Sequence, residues 1–252
     1  MMEVLRAASA DQTRLTDDQR AWYKGALGER HVARILQTLG PGWTVLHSVP
    51  VGSGDSDIDH VVIGPAGVFT INTKNHPGKT AWVAAHGMMI GGQKVPYIRN
   101  SAHEARRAEK VLTTASGLTV ETVGVIVLVG AKSLTVKHAP DGGDAVVRVV
   151  RDRDLLSTIQ TRRIYSDEQV QRIVLAAILP QTWHRRPIEP IEPIDTDHLI
   201  RDFDALATGV RKTDSKVHRR SSSRQLIKSV AITAGALITG WTLLNLLPAL
   251  LP

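Results

Sequence analysis

The sequence predicts an α/β sandwich with a central mixed sheet, and three observations predict it. Runs rich in β-branched residues at 58–63, 68–73 and 123–129 read as strands. Stretches of helical period at 17–39 and 100–114 lie before and between them. Strands and helices mixed at these spacings belong to a sheet covered by helices, not to a bundle or an all-β domain. With 252 residues, 42% of them hydrophobic, the chain is long enough for one sizeable α/β domain and an appendage.

The first sixteen residues are polar and carry no apolar run, so they predict a flexible N-terminus and no secretory signal. Residues 17–39 predict a helix with Trp22, Ala26, Ala33 and Leu36 on one face, Asp17 or Asp18 capping it or favouring its first turn and Gly40-Pro41 ending it. Glu29 falls within the same apolar stripe. A carboxylate on a buried face is costly unless it is paired or bound to a cation. Residues 43–47 predict a first strand. The runs 58–63 and 68–73, joined by Gly64-Pro65-Ala66-Gly67, predict a β-hairpin in which Ile63 faces Val68. That register sets Asp59 opposite Asn72, with Lys74 one diagonal step away. Because side chains alternate, these three polar groups project from one face of the hairpin.

Beyond the hairpin, 80–85 and 88–90 predict an antiparallel pair ahead of Gly91-Gly92. Residues 100–114 predict a charged helix in which Arg106, Arg107 and Lys110 either form a solvated face or meet phosphates. The near-continuous apolar run 123–129 predicts a strand buried on both faces, and 145–150 a further strand. Residues 152–160 and 166–179 predict two short helices, each opened by an N-cap residue.

The composition changes near Pro180. Residues 17–182 make the predicted folded domain, and 183–228 a linker. The repeat Ile188-Glu189-Pro190-Ile191-Glu192-Pro193 favours an extended spacer, 195–209 an isolated amphipathic helix, and 211–228 a basic tract with seven Lys or Arg against one Asp. That tract supplies +6 of the chain's +7, so the basic balance does not by itself describe a nucleic-acid-binding face. Residues 229–252 contain no charged side chain. As a helix they would span about 36 Å, enough to cross a bilayer core. The cations on their N-terminal side predict a cell-membrane single pass with the folded domain cytoplasmic, the C-terminus outside and the tract against anionic lipid. Ala231, Gly235 and Thr239 space small residues every four positions, a pattern compatible with a homo-oligomer.

Several chemistries are excluded. With no cysteine there is neither disulfide nor thiolate metal site. No GxSxG, Walker A or GxGxxG motif occurs. Asp55-x-Asp57-x-Asp59 opens like a calcium loop but has His60 where Gly is needed and Ala66 where Glu is needed. The ten histidines show no zinc spacing.

Glu29 in Gly28-Glu29-Arg30, Asp59 on the first hairpin strand and Asn72-Thr73-Lys74 on the second together resemble the NERD (nuclease-related) domain, a branch of the PD-(D/E)xK nuclease superfamily. The resemblance runs from about residue 25 to 129. It implies a restriction-endonuclease-like sheet and Mg²⁺- or Mn²⁺-dependent hydrolysis of phosphodiester bonds in DNA or RNA. It implies Asp59, Glu29 and Asn72 as metal ligands, and Lys74 as the group that holds the attacking water or stabilises developing charge. The chain departs from the pattern at Asn72, where the family has Glu or Asp. That implies weaker metal binding, and leaves open a module of the same fold that binds nucleic acid or a protein partner at the membrane without cutting. A membrane-associated scaffold is a third expectation.

Overall fold

The computed structural model describes residues 16–50 and 57–183, with Arg201, Ala205 and Thr208. The predicted flexible N-terminus, spacer, basic tract and membrane segment 229–252 lie, but for these few residues, outside the described ones. No helix among the described residues is long and apolar enough to cross a membrane. The chain divides into two units, Arg20–Pro193 and Met1–Gln19 with Ile194–Pro252. The second lies almost wholly outside the described residues, and the first carries the fold.

Helix α1 (Asp17–Leu36) opens at a capping box: the Thr16 N–H donates to Gln19 Oε1 at 2.9 Å and the Gln19 N–H to Thr16 Oγ1 at 3.2 Å. Thr16, not Asp17 or Asp18, therefore provides the cap. The buried face also differs from the predicted stripe. Leu36 is buried as expected, but Trp22 is 43% exposed, and Tyr23, Gly28 and Val32 are buried in its stead. A Cβ at Gly28 would lie 2.9 Å from Asn75 Cβ and 3.3 Å from Thr73 Cγ2, so this glycine sets how closely α1 approaches the sheet, and thereby which face turns inward.

Among the described residues, ten strands follow the helix in two sheets. The larger runs β1 (Thr44–Pro50), β2 (Asp57–Gly64), β3 (Gly67–Asn75), β7 (Thr122–Val129), β10 (Ala145–Arg151) and β9 (Asp141–Gly142). β1, β2 and β3 are mutually antiparallel, β3–β7 and β7–β10 are parallel, and β9 closes the edge antiparallel, so the sheet is mixed. The smaller sheet orders β6 (Gln93–Val95), β5 (Gly87–Ile90), β4 (Thr80–Ala84) and β8 (Ser133–Val136).

Residues 67–73 of β3 are buried without a break, because helices cover both faces of the central strands. On one face Val32 and Leu36 of α1 pack with Val62, Phe69, Ile71, Val125 and Val127. On the other, Ala108 and Leu112 of α2 (Tyr97–Ser116) pack with Val61, Ile63 and Val68, and its Ile98, Ala102 and Ala105 with Ile126 and Leu128. The predicted helix at 152–160 is a 3-10 turn (Asp152–Asp154) followed by α3 (Leu155–Ile159), and no side chain caps either. Helix α4 (Asp167–Ala177) is opened by Ser166 in a capping box with Gln169, and a four-residue α5 (Pro180–Trp183) follows.

Candidate active site

Every polar group of interest gathers where β2 and β3 part. Their ladder runs from Gly64–Gly67 through Ile63–Val68 to His60–Ile71 and stops there, while Ile58 and Asp57 pair only with β1. Asp59 replaces the missing main-chain bond: its Oδ2 accepts the Thr73 N–H at 2.6 Å. On its other side the β1 partner position is Ser48, the one described non-glycine residue with a left-handed backbone (φ 49°), and Ser48–Asp59 is absent from the ladder. Such a conformation costs about 1–3 kcal/mol and persists only where the surroundings enforce it. Asp59 thus occupies a break in regular pairing on both sides.

Asn72 is 8% exposed and faces α2. Its Nδ2 donates to both carboxylate oxygens of Glu104, at 2.9 and 3.0 Å. Its Oδ1 is buried and has no hydrogen-bond partner. The approach of α2 that permits this contact depends on Gly124 in β7, where a Cβ would lie 2.6 Å from Ser101 Oγ and 3.0 Å from the Ser101 carbonyl oxygen. Lys74 Nζ sits 5.3 Å from the centre of the Tyr97 ring, and the Tyr97 hydroxyl is 3.0 Å from His76 Nε2.

Electrostatics mark the same place. Burial, and then the charges of Asp59 and Asp57, push the Glu29 carboxyl up to about 7 against the pull of Lys74. Asp59 is raised by burial, although the Thr73 amide and Lys74 oppose the shift. Glu104 is raised by burial, with the Asn72 bond lowering it and Asp59 adding to the rise. Glu29 comes from the α1 layer and Glu104 from the α2 layer, so Asp59 lies between carboxylates on opposite sides of the sheet. His60 is no part of this group. It faces α1, with its Nδ1 2.8 Å from His47 Nδ1, and burial pushes it down to about 3, so the two imidazoles share one hydrogen bond as neutral rings.

The centre opens on two clefts. One, of about 440 Å³, is lined by Glu29, Asp59 and Lys74 together with Lys24, Lys79 and Tyr97. The other, of about 500 Å³, is lined by Asp57 and Glu104 together with Arg99, His103, Arg106 and Arg107. Acid lies at the middle and base on the rims, the distribution that a phosphodiester with a cation beneath it would meet. Among the described residues no three Asp, Glu or His side chains form a ready-made metal cage. Mg²⁺ does not need one, since it takes one or two carboxylates and completes its octahedron with water and substrate oxygens. Asp59, Glu29 and the acceptor-only Oδ1 of Asn72 fit that demand. Three carboxylates held above their ordinary range are relieved by a cation, as is a buried oxygen without a donor.

The structure therefore brings Asp59, Asn72 and Lys74 together on the α2 side of the hairpin and sets Glu29 within electrostatic reach. Sequence reasoning missed Glu104. A signal was available: Glu104 interrupts a stripe of small buried residues, Ser101, Ala102, Ala105 and Ala108, just as Glu29 interrupts the face of α1.

A mixed α/β domain with a carboxylate and lysine centre on a splayed central hairpin is the class that fold and site define. The family model of the nuclease-related domain (NERD) matches residues 24–129. The match takes in Glu29, Asp59, Asn72, Lys74 and Glu104. An uncharacterized protein of Bacillus anthracis is 47% identical over 60 residues, which cover 22% of this chain and 28% of that protein. This chain thus spans little more than a quarter of that relative's length. Among solved structures, Pyrococcus furiosus SfsA in complex with Ca²⁺ is similar at 14% identity over 61% of this chain and 53% of that one, with a TM-score of 0.22.

Proposed function

We propose that the chain is a membrane-tethered, metal-dependent nuclease that hydrolyses phosphodiester bonds in DNA or RNA on a restriction-endonuclease-like fold. The observation that carries this reading is the splayed end of the β2–β3 hairpin, where Asp59, Lys74 and an unpartnered Asn72 Oδ1 share one side and Glu29 approaches from α1. Asp59, Glu29 and Asn72 would hold Mg²⁺ or Mn²⁺. A bound divalent ion supplies neutralisation of phosphate charge and a more acidic water. Lys74, left without a carboxylate in ion-pair range among the described residues, orients the attacking water or stabilises charge on the phosphoryl oxygens. Lys24 and Lys79 on one rim and Arg99 and Arg107 on the other hold the flanking phosphates. The uncharged segment 229–252 and the basic tract before it tether the domain on the cytoplasmic face of the membrane, and the small residues at 231, 235 and 239 are where two such helices would pack.

The test is cleavage of labelled DNA and RNA, single- and double-stranded, by the full-length chain in detergent, with Mg²⁺, Mn²⁺ or chelator. Metal-dependent cutting that disappears in both Asp59→Ala and Lys74→Ala supports the reading. No cutting of any substrate with either metal refutes it. The amide at position 72 favours one second reading, a module that binds nucleic acid or a protein partner without turnover. Its signature is metal-independent retention of nucleic acid by a chain that never cuts.

A further inference from the structure

We propose that Glu104 is the second carboxylate of the centre, supplied from helix α2 in place of the acidic side chain that strand position 72 lacks. The inference rests on the nuclease reading above and deepens it.

Position 72 is where the strand offers the centre an oxygen next to Asp59, and here that side chain is an amide with no charge. The amide is oriented, not free. Its Nδ2 donates a bifurcated hydrogen bond to the two oxygens of the Glu104 carboxylate, at 2.9 and 3.0 Å. This fixes which end of the amide is oxygen, because a carboxylate accepts and cannot donate. The Oδ1 at the other end then has no partner although Asn72 is more than nine-tenths buried. A buried acceptor without a donor is costly, and a cation bound there removes that cost. Had position 72 been acidic, its carboxylate would meet that of Glu104 at hydrogen-bond distance, and like charges so close cannot both ionise. The amide is therefore the side chain that lets Glu104 come this near while charged. Amide and carboxylate together offer the oxygen and the negative charge that one strand carboxylate would give alone.

Two further features agree. Gly124 lets α2 lie against β7 closely enough for the contact. Glu104 shares a cleft with Asp57, which lies two residues along β2 from Asp59. This is the arginine-rimmed cleft, which gives the Glu104 oxygens access to a ligand from that side.

The experiment is a Mn²⁺ titration by calorimetry on the full-length chain in detergent, run beside cleavage, for the parent, Glu104→Gln, Asn72→Asp and the double variant. Gln keeps an oxygen that can accept from Asn72 Nδ2, so Glu104→Gln removes charge while sparing the contact. Expected are Mn²⁺ binding weakened by about tenfold or more in Glu104→Gln, with cleavage falling alongside. In Asn72→Asp/Glu104→Gln the charge returns on the strand, and binding recovers to within about threefold of the parent. If Glu104→Gln binds Mn²⁺ as the parent does, or the double variant binds no better than Glu104→Gln alone, the inference is overturned while the nuclease reading stands. If the parent neither binds Mn²⁺ nor cuts, both fall together.

Discussion

Glu29 gives the sharpest physical prediction, because its position is a liability without a cation. Its carboxyl moves from an ordinary 4.5 to about 7 in the folded chain, first through burial and then through Asp59 and Asp57. The folded state therefore holds a proton between these values that the unfolded state has released. This stabilisation is fully present below pH 4.5 and is lost as pH rises through 7. The span corresponds to roughly 3 kcal/mol, an upper figure because Glu29 is only partly buried and neighbouring carboxylates share the titration. In chelator at pH 8, Glu29→Gln should thus be more stable than the parent by about 1–3 kcal/mol. For a domain of this size that raises the melting temperature by roughly 3–10 °C. At pH 4.5 the difference should vanish. The assay is thermal unfolding of both chains followed by circular dichroism from pH 4.5 to 8, without and with Mn²⁺. Added Mn²⁺ should stabilise the parent more than the variant, closing the gap from the other side. Parallel melting curves at every pH, or a variant less stable at pH 8, would refute the claim that Glu29 is held against its own charge.

Three further outcomes follow from particular contacts. Gly124→Ala places a methyl 2.6 Å from Ser101 Oγ, so α2 must shift; we expect a loss of about 1–3 kcal/mol in urea unfolding together with weakened Mn²⁺ binding, since the same shift separates Glu104 from Asn72. Ser166→Ala removes the capping box of α4 and should cost about 1 kcal/mol while leaving the cleavage rate per folded molecule unchanged. Arg107→Ala takes a cation from the second cleft; the slope of log affinity for DNA against log salt, measured in chelator, should become shallower by about 0.7–0.9 if that guanidinium meets one phosphate, and stay the same if it is merely solvated.

What could be read from the chain tracks how local its causes are. The β2–β3 hairpin was legible because two β-branched runs flank a short turn, and turn length alone sets Ile63 against Val68. Neither the break below His60 nor the left-handed Ser48 leaves a trace in composition, since both arise from how three strands compete for the main chain around Asp59. Helix α1 was legible as a helix but not in its orientation. Alanines at 26 and 33 fit several faces, and the side that turns inward is decided by Gly28 meeting Asn75 of the strand beneath it, a contact that no periodicity records. Strands β6 and β8 have three and four residues and take their shape from pairing with neighbours, so they gave no run to detect. Glu104 belongs to an intermediate case. Helix α2 invites attention to its arginines, yet the anomaly that matters is one carboxylate set among Ser101, Ala102, Ala105 and Ala108. The physics that singles it out also singles out Glu29: a charge on the buried side of a helix needs a partner. Applied evenly to both helices, that rule finds the two carboxylates between which Asp59 stands. It does not find Asn72, whose role depends on which of its two ends the neighbouring carboxylate claims.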